Sequence, residues 1–112
     1  MLLNLSERFM LLEILPAQGD FATLKIVRKL REALSLTEAE FKKYRVRTAG
    51  QMLDDGTVVP EGRIVWNAVG QEPREIEIGE KAADIIADVF KKLDREKKLT
   101  EQHIDLYEKF IP

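Results

Sequence analysis

The chain has no cysteine, one histidine, two serines, four prolines and seven per cent aromatic residues in 112. Each shortage excludes something. Without cysteine there is no disulfide framework, no thiolate metal site and no thiol nucleophile. One histidine cannot make a two-His or three-His zinc site within a single chain. Six glycines, at positions 19, 50, 56, 62, 70 and 79, never form a GxGxxG run, and no GxxxxGK[ST] is present. Neither a dinucleotide fingerprint nor a P-loop is therefore encoded. Ser6 and Ser35 lie in no nucleophile-elbow motif. No apolar run reaches the about 18 residues of a membrane span. The apolar start is interrupted by Glu7, Arg8 and Glu13 and has no basic lead, unlike a secretory signal. A cytoplasmic protein without membrane association is the expectation.

What is present is a globular composition. The share of hydrophobic residues is 45% and that of charged residues 34%, and the net charge is −2. This length suits one domain with a core of its own, spanning residues 1–112.

Helix signals are clear. Ser6 reads as an N-cap, followed by Phe9, Met10, Leu11, Leu12, Ile14 and Leu15. That is too many apolar positions for a narrow stripe, so the first helix is expected to be buried on most of its circumference. Asp20 caps a second helix over 21–34, with Phe21, Leu24, Val27, Leu30 and Leu34 on one face. Thr37 and Glu40 make a capping box for a short third helix, with Leu36 and Phe41 at the staple positions. Period-two alternation follows at Val46–Thr48, Ile64–Trp66 and Ile76–Ile78, which predicts a small antiparallel three-stranded sheet. Asp55-Gly56 is a hairpin turn signal, so 50–62 is a projecting hairpin or a mobile loop. Gly79 starts a long helix to about residue 97, acidic in its first half and basic in its second, as the helix dipole favours. Thr100 caps a last helix through Phe110. The expected class is α+β: three helices, the sheet, then two C-terminal helices. The first, second and fourth helices are expected on one face of the sheet, with Trp66 in or near that core.

Chemistry is sparse. His103 stands near Glu101 and Asp105 in a first helical turn, where a solvent-facing role outweighs that of a general base. Asp54, Asp55 and Glu61 form the one acidic loop cluster, but without EF-hand spacing. No catalytic, cofactor or metal residues are assigned, and a non-enzymatic protein without cofactor is expected.

Charge is distributed unevenly. Residues 25–47 hold eight basic residues, Lys25, Arg28, Lys29, Arg31, Lys42, Lys43, Arg45 and Arg47, against three acidic ones. Residues 48–112 hold nine basic and fourteen acidic residues. The near-neutral total is therefore a cancellation. Three uses of the basic segment compete. It pairs with the chain's own acids, Arg45 and Arg47 facing Glu75 and Glu77 across the sheet. It binds nucleic acid in a winged-helix-like manner through Lys25, Arg28, Lys29, Lys42, Lys43, Arg45 and Arg47. Or it steers an oppositely charged protein partner or a second copy. Met52, Leu53, Val58 and Val59 flank the turn and form an apolar tip that either docks in a partner or folds back over the helices.

The runs Glu7-Arg8-Phe9-Met10-Leu11-Leu12 and Thr23 through Ser35 resemble small proteins encoded by bacteriophages and prophages. So do Glu75-Ile76-Glu77-Ile78-Gly79-Glu80-Lys81-Ala82 and Leu106-Tyr107-Glu108-Lys109-Phe110. The resemblance covers most of the chain and carries no catalytic motif. It implies a phage-borne binding protein acting in the host cytosol. The leading expectation is a binding or adaptor protein working by charge complementarity and the apolar tip, with the nucleic-acid reading as the alternative.

Overall fold

A computed structural model describes residues 1–53 and 55–111. Its elements run β1 (Leu2–Leu3), α1 (Leu5–Ile14), α2 (Phe21–Leu34), α3 (Glu38–Lys43), β2 (Arg47–Thr48), β3 (Ile64–Val65), β4 (Arg74–Glu75), α4 (Glu80–Arg95) and α5 (Ile104–Phe110). Short 3-10 turns precede β4 and α5. The chain divides into two units. One joins Met1–Ser35 to the chain from Arg74 onward, and the other is Leu36–Pro73.

Among the described residues the mixed α and β composition holds, with five α-helices, and no three-stranded sheet forms. Two separate two-stranded antiparallel ribbons take its place, β1 with β4 and β2 with β3. Leu2 stands opposite Glu75 and Leu3 opposite Arg74, while Arg47 stands opposite Val65 and Thr48 opposite Ile64. Glu75 is thus the cross-strand neighbour of a leucine, and the expected ladder of Arg45 and Arg47 against Glu75 and Glu77 is absent from the pairing register. The reason is the N-terminus: Leu2 and Leu3 supply a partner strand for 74–75. Ile76 is buried, Ile78 half-buried, and Glu75 and Glu77 exposed, so the alternation was real but its partner was misplaced.

In the first unit, helices pack on helices. Its core joins Leu3, Leu11, Leu15, Val27, Leu30, Leu34, Ile76, Ala82, Ile86, Phe90 and Leu106. α1 meets α2, α2 meets α4, and α4 meets α5. Trp66 lies outside this core, in the second unit, where it is half-buried. α1 shows only Ser6 and Glu13 as exposed, so burial on most of its circumference is observed.

α1 begins at Asn4, two residues before the expected Ser6. The Asn4 side-chain oxygen accepts the Glu7 amide at 2.9 Å, and a Glu7 carboxylate oxygen accepts the Asn4 amide at 3.1 Å. A Ser6 cap would place Phe9 where the box needs Glu or Gln, so Asn4 is the better start. Asp20 accepts the Thr23 amide at 2.7 Å, and the Thr37–Glu40 box forms with both bonds at 3.1 Å.

Two helices end in Schellman motifs with a basic residue where glycine is usual. After α4, Lys97 has φ 58°; the Lys98 amide donates to Leu93 at 2.8 Å and the Lys97 amide to Asp94 at 3.1 Å. After α3, Arg45 has φ 50°, with the Val46 amide on Phe41 and the Arg45 amide on Lys42. A side chain in the left-handed region costs roughly 1–2 kcal/mol, partly offset against glycine by the latter's larger unfolded-state entropy. Lys97→Gly should therefore stabilise the protein by about 0.5–1 kcal/mol, read as a higher urea midpoint with an unchanged m-value. A lower midpoint would show that the lysine's charge at the helix C-terminus outweighs the strain.

α5 is docked. Leu106 is buried, and Lys109 Nζ reaches the Leu2 carbonyl at 3.0 Å and the Glu7 carboxylate at 2.7 Å. The expected helix from Thr100 starts as a 3-10 turn, Glu101–His103, before α5.

Candidate functional site

The helical pair α1–α2 uses two arginines that the sequence groups with polar or basic surface. Arg8 is 2% exposed. Its Nε donates to the Leu34 carbonyl and its Nη2 to the Ser35 carbonyl, both at 3.0 Å. Arg31 donates from α2 to the Leu12 and Leu15 carbonyls at 3.4 and 3.5 Å. Each arginine supplies donors to the carbonyl-rich end of the other helix, where positive charge also suits the dipole. Arg31 thereby leaves the list of cations open to a partner.

The remaining basic residues fall into two sets. Lys25, Arg28 and Lys29 lie on α2 in the first unit and are exposed. Lys25 and Arg28 share a cleft of about 270 Å³ with Phe21 and Leu24. Phe21 is 82% exposed, so the expectation that it joins the buried face fails; only Val27, Leu30 and Leu34 of that row are buried. Lys29 borders a groove of about 500 Å³ whose apolar lining includes Ile26, Leu30, Ala33 and Ile78.

Lys42, Arg45 and Arg47 belong to the second unit and line one groove of about 600 Å³ with Phe41, Val46, Thr48 and Gln51. Lys43 instead stands over the Tyr44 ring, 5.6 Å from its centroid. α3 ends just here because the Schellman turn reverses the chain into β2. The carbonyls of that last turn are all engaged. Glu40 accepts the Tyr44 amide, Phe41 the Val46 amide, Lys42 the Arg45 amide, and Lys43 the Asn67 side-chain amide.

Residues 50–62 carry a hairpin. Met52 bridges Val58 in antiparallel fashion, the Gly50 amide donates to the Val59 carbonyl at 3.1 Å, the Val59 amide to the Gln51 carbonyl at 3.0 Å, and the Leu53 amide to the Thr57 carbonyl at 2.7 Å. Gly56, at φ 87°, takes the left-handed position that closes such loops. Asp55 accepts the Thr57 hydroxyl at 2.7 Å and its amide at 3.0 Å, and these bonds, the hydroxyl first, hold its carboxyl below the usual range. A depressed folded-state value means that the bonds favour the turn above the ordinary carboxylate range and fade on acidification. Asp54 lies outside the described residues.

Met52 is 66% and Val58 56% exposed. Val59 is buried at 2%, so it belongs to the interior and not to the interaction surface that the sequence suggested for it. Leu53 is half-buried. His103, considered as a base, is a cap: its Nδ1 accepts the Thr100 amide at 3.0 Å, and its ring lies 6.0 Å from that of Phe90. Among the described residues, no three of the histidine and acidic side chains gather as a metal set, and no helix is long and apolar enough to cross a membrane.

The first unit's core is drawn from β1, α1, α2, α4, α5 and Ile76, with no residue of α3. The sequence missed Phe41, Thr48 and Gln51 as groove residues. Phe41 occupies a staple position, yet it is 45% exposed; its place one residue before a lysine and four before an arginine is the available signal.

The chain matches no family model, and neither a curated protein nor a solved structure matches it.

Proposed function

We propose that this is a non-catalytic binding protein, phage-borne as the sequence resemblance implies, which captures a protein partner with the hairpin of its second unit. One observation carries the reading. Met52 and Val58 are directly opposite across an antiparallel bridge and both are more than half exposed. Opposed positions put both side chains on the same face, about 4.5–5.5 Å apart at Cβ. The ladder bonds on either side hold this apolar pair in place while it remains wet. Burying it against a partner would contribute about 25 cal/mol for each Å² covered. A preorganised hairpin also spares the ordering cost that a mobile loop would incur on binding.

The test is Met52→Asp with Val58→Lys, a pair that keeps the cross-strand positions occupied by opposite charges. Tagged wild-type and variant protein are compared for capture from host lysate, with circular dichroism as the fold control. Capture of the same partner should fall at least tenfold. Equal capture by a folded variant would remove the tip from the mechanism.

A further inference from the structure

Beyond the hairpin tip, we propose that the groove at the end of α3 binds single-stranded nucleic acid, with the phosphodiester backbone on Lys42 and Arg47 and a base stacked on Phe41. The argument is one of donor and acceptor balance. Lys42 and Arg47 line the groove, and among its described lining residues there is no carboxylate. The carbonyls that end α3 are each occupied by an amide or side-chain donor, so the helix terminus offers no acceptor to repel a phosphate oxygen. Gln51 Oε1 already accepts the Thr48 amide at 2.7 Å and stands 3.4 Å from the Thr48 hydroxyl. Its Nε2 is thereby the end of the amide left to donate. Arg47 Nη1 donates to the Val46 carbonyl at 3.1 Å, which holds the guanidinium at the start of β2. The lining is rich in donors and poor in acceptors, and the complementary ligand is an anionic chain rich in acceptor oxygens.

Phe41 selects among such chains. Its ring is 45% exposed at the groove edge. Stacking on an exposed aromatic beside a cationic track is how single strands are held without sequence preference. An acidic peptide has no flat face to place there. A duplex would need a broader basic surface, and its bases are already stacked on one another.

The experiment is fluorescence anisotropy of a labelled single-stranded oligothymidylate with the full chain. Saturable binding at low salt is expected, with a log–log salt slope of about −1.4 for two phosphate contacts on a single strand. Phe41→Leu keeps apolar bulk and should weaken binding roughly tenfold. Lys42→Glu with Arg47→Glu should abolish it. An abasic oligonucleotide should bind wild type as weakly as the thymidylate binds Phe41→Leu, and should not distinguish wild type from that variant. The fluorescence of Trp66, in the same unit, reports that each variant is folded. No binding at low salt, Phe41→Leu binding as tightly as wild type, or displacement by polyglutamate as effective as by unlabelled oligonucleotide would each overturn the proposal.

Discussion

Phe90→Ala should cost about 3–5 kcal/mol, the range for truncating a fully enclosed aromatic. Phe90 is 0% exposed. Its ring lies 5.9 Å from that of Tyr107 at an interplanar angle of 64°, 6.0 Å from His103 at 66°, and 6.3 Å from Phe110. The first two are edge-to-face arrangements, which the ring quadrupoles favour beyond simple area burial. One side chain of α4 therefore holds both the 3-10 turn and α5. Its loss should lower the melting temperature by on the order of 15 °C, with the amides of α5 losing protection from hydrogen exchange first. Phe90→Leu, which refills most of the volume, should recover more than half of the loss. A melting temperature within a few degrees of wild type for the alanine variant would show that α5 docks without this ring.

The second large effect is expected at Arg8. Arg8→Met keeps much of the buried stem but removes the donors to Leu34 and Ser35. Two carbonyls at the end of α2 would then lose partners inside the protein, and an unsatisfied buried polar group costs roughly 1–3 kcal/mol. The expected loss is about 2–4 kcal/mol, read as a lower urea midpoint at constant m-value. Arg8→Lys should restore only part, because an ammonium cannot reproduce the two-pronged guanidinium geometry. A change under about 0.5 kcal/mol for the methionine variant would mean that water replaces the guanidinium.

These two sites show how unevenly the fold could be read from sequence. Asp20 and Thr37 mark helix starts because side-chain capping is local, with donor and acceptor within three residues, and Gly79 marks the start of α4 without a side-chain cap. Asn4 and Ser6 are both good caps by type, and Glu7, three residues after Asn4, decides between them. The strands were harder. Period-two alternation at Ile76 and Ile78 tells which face is buried but not which strand is next to it, and the partner at Leu2–Leu3 lies at the other end of the chain. Arg8 looked like an interruption in an apolar run, since nothing local reveals two carbonyls 26 and 27 residues later. The basic segment misled in a similar way. A sum over 25–47 treats neighbours in sequence as neighbours in space, whereas Arg31 serves α1 and the rest divide between two units. Within the candidate site, Lys42, Arg45 and Arg47 were legible by type. The exposure of Phe41 and the orientation of Gln51 depend on how α3 turns into β2.

The second unit is also an insertion, and the tethers at its two ends have a consequence for biosynthesis. Leu36–Pro73 interrupts the first unit between Ser35, held by Arg8, and Arg74, held by Leu3. Both ties therefore come from the first eight residues of the chain. On a ribosome, where chains lengthen at about 5–20 residues per second, α1 and α2 can close on each other early. Leu2 and Leu3 must wait with their pairing edge unmet until residues 74–75 have emerged, and α5 adds its Lys109 contacts last. The inserted unit can form its own hairpin during that interval. β1 is thus made before its partner strand and completed late, and a chain stalled before residue 74 would expose an unpaired leucine-rich edge, the kind of surface that chaperones recognise and that aggregates when left uncovered.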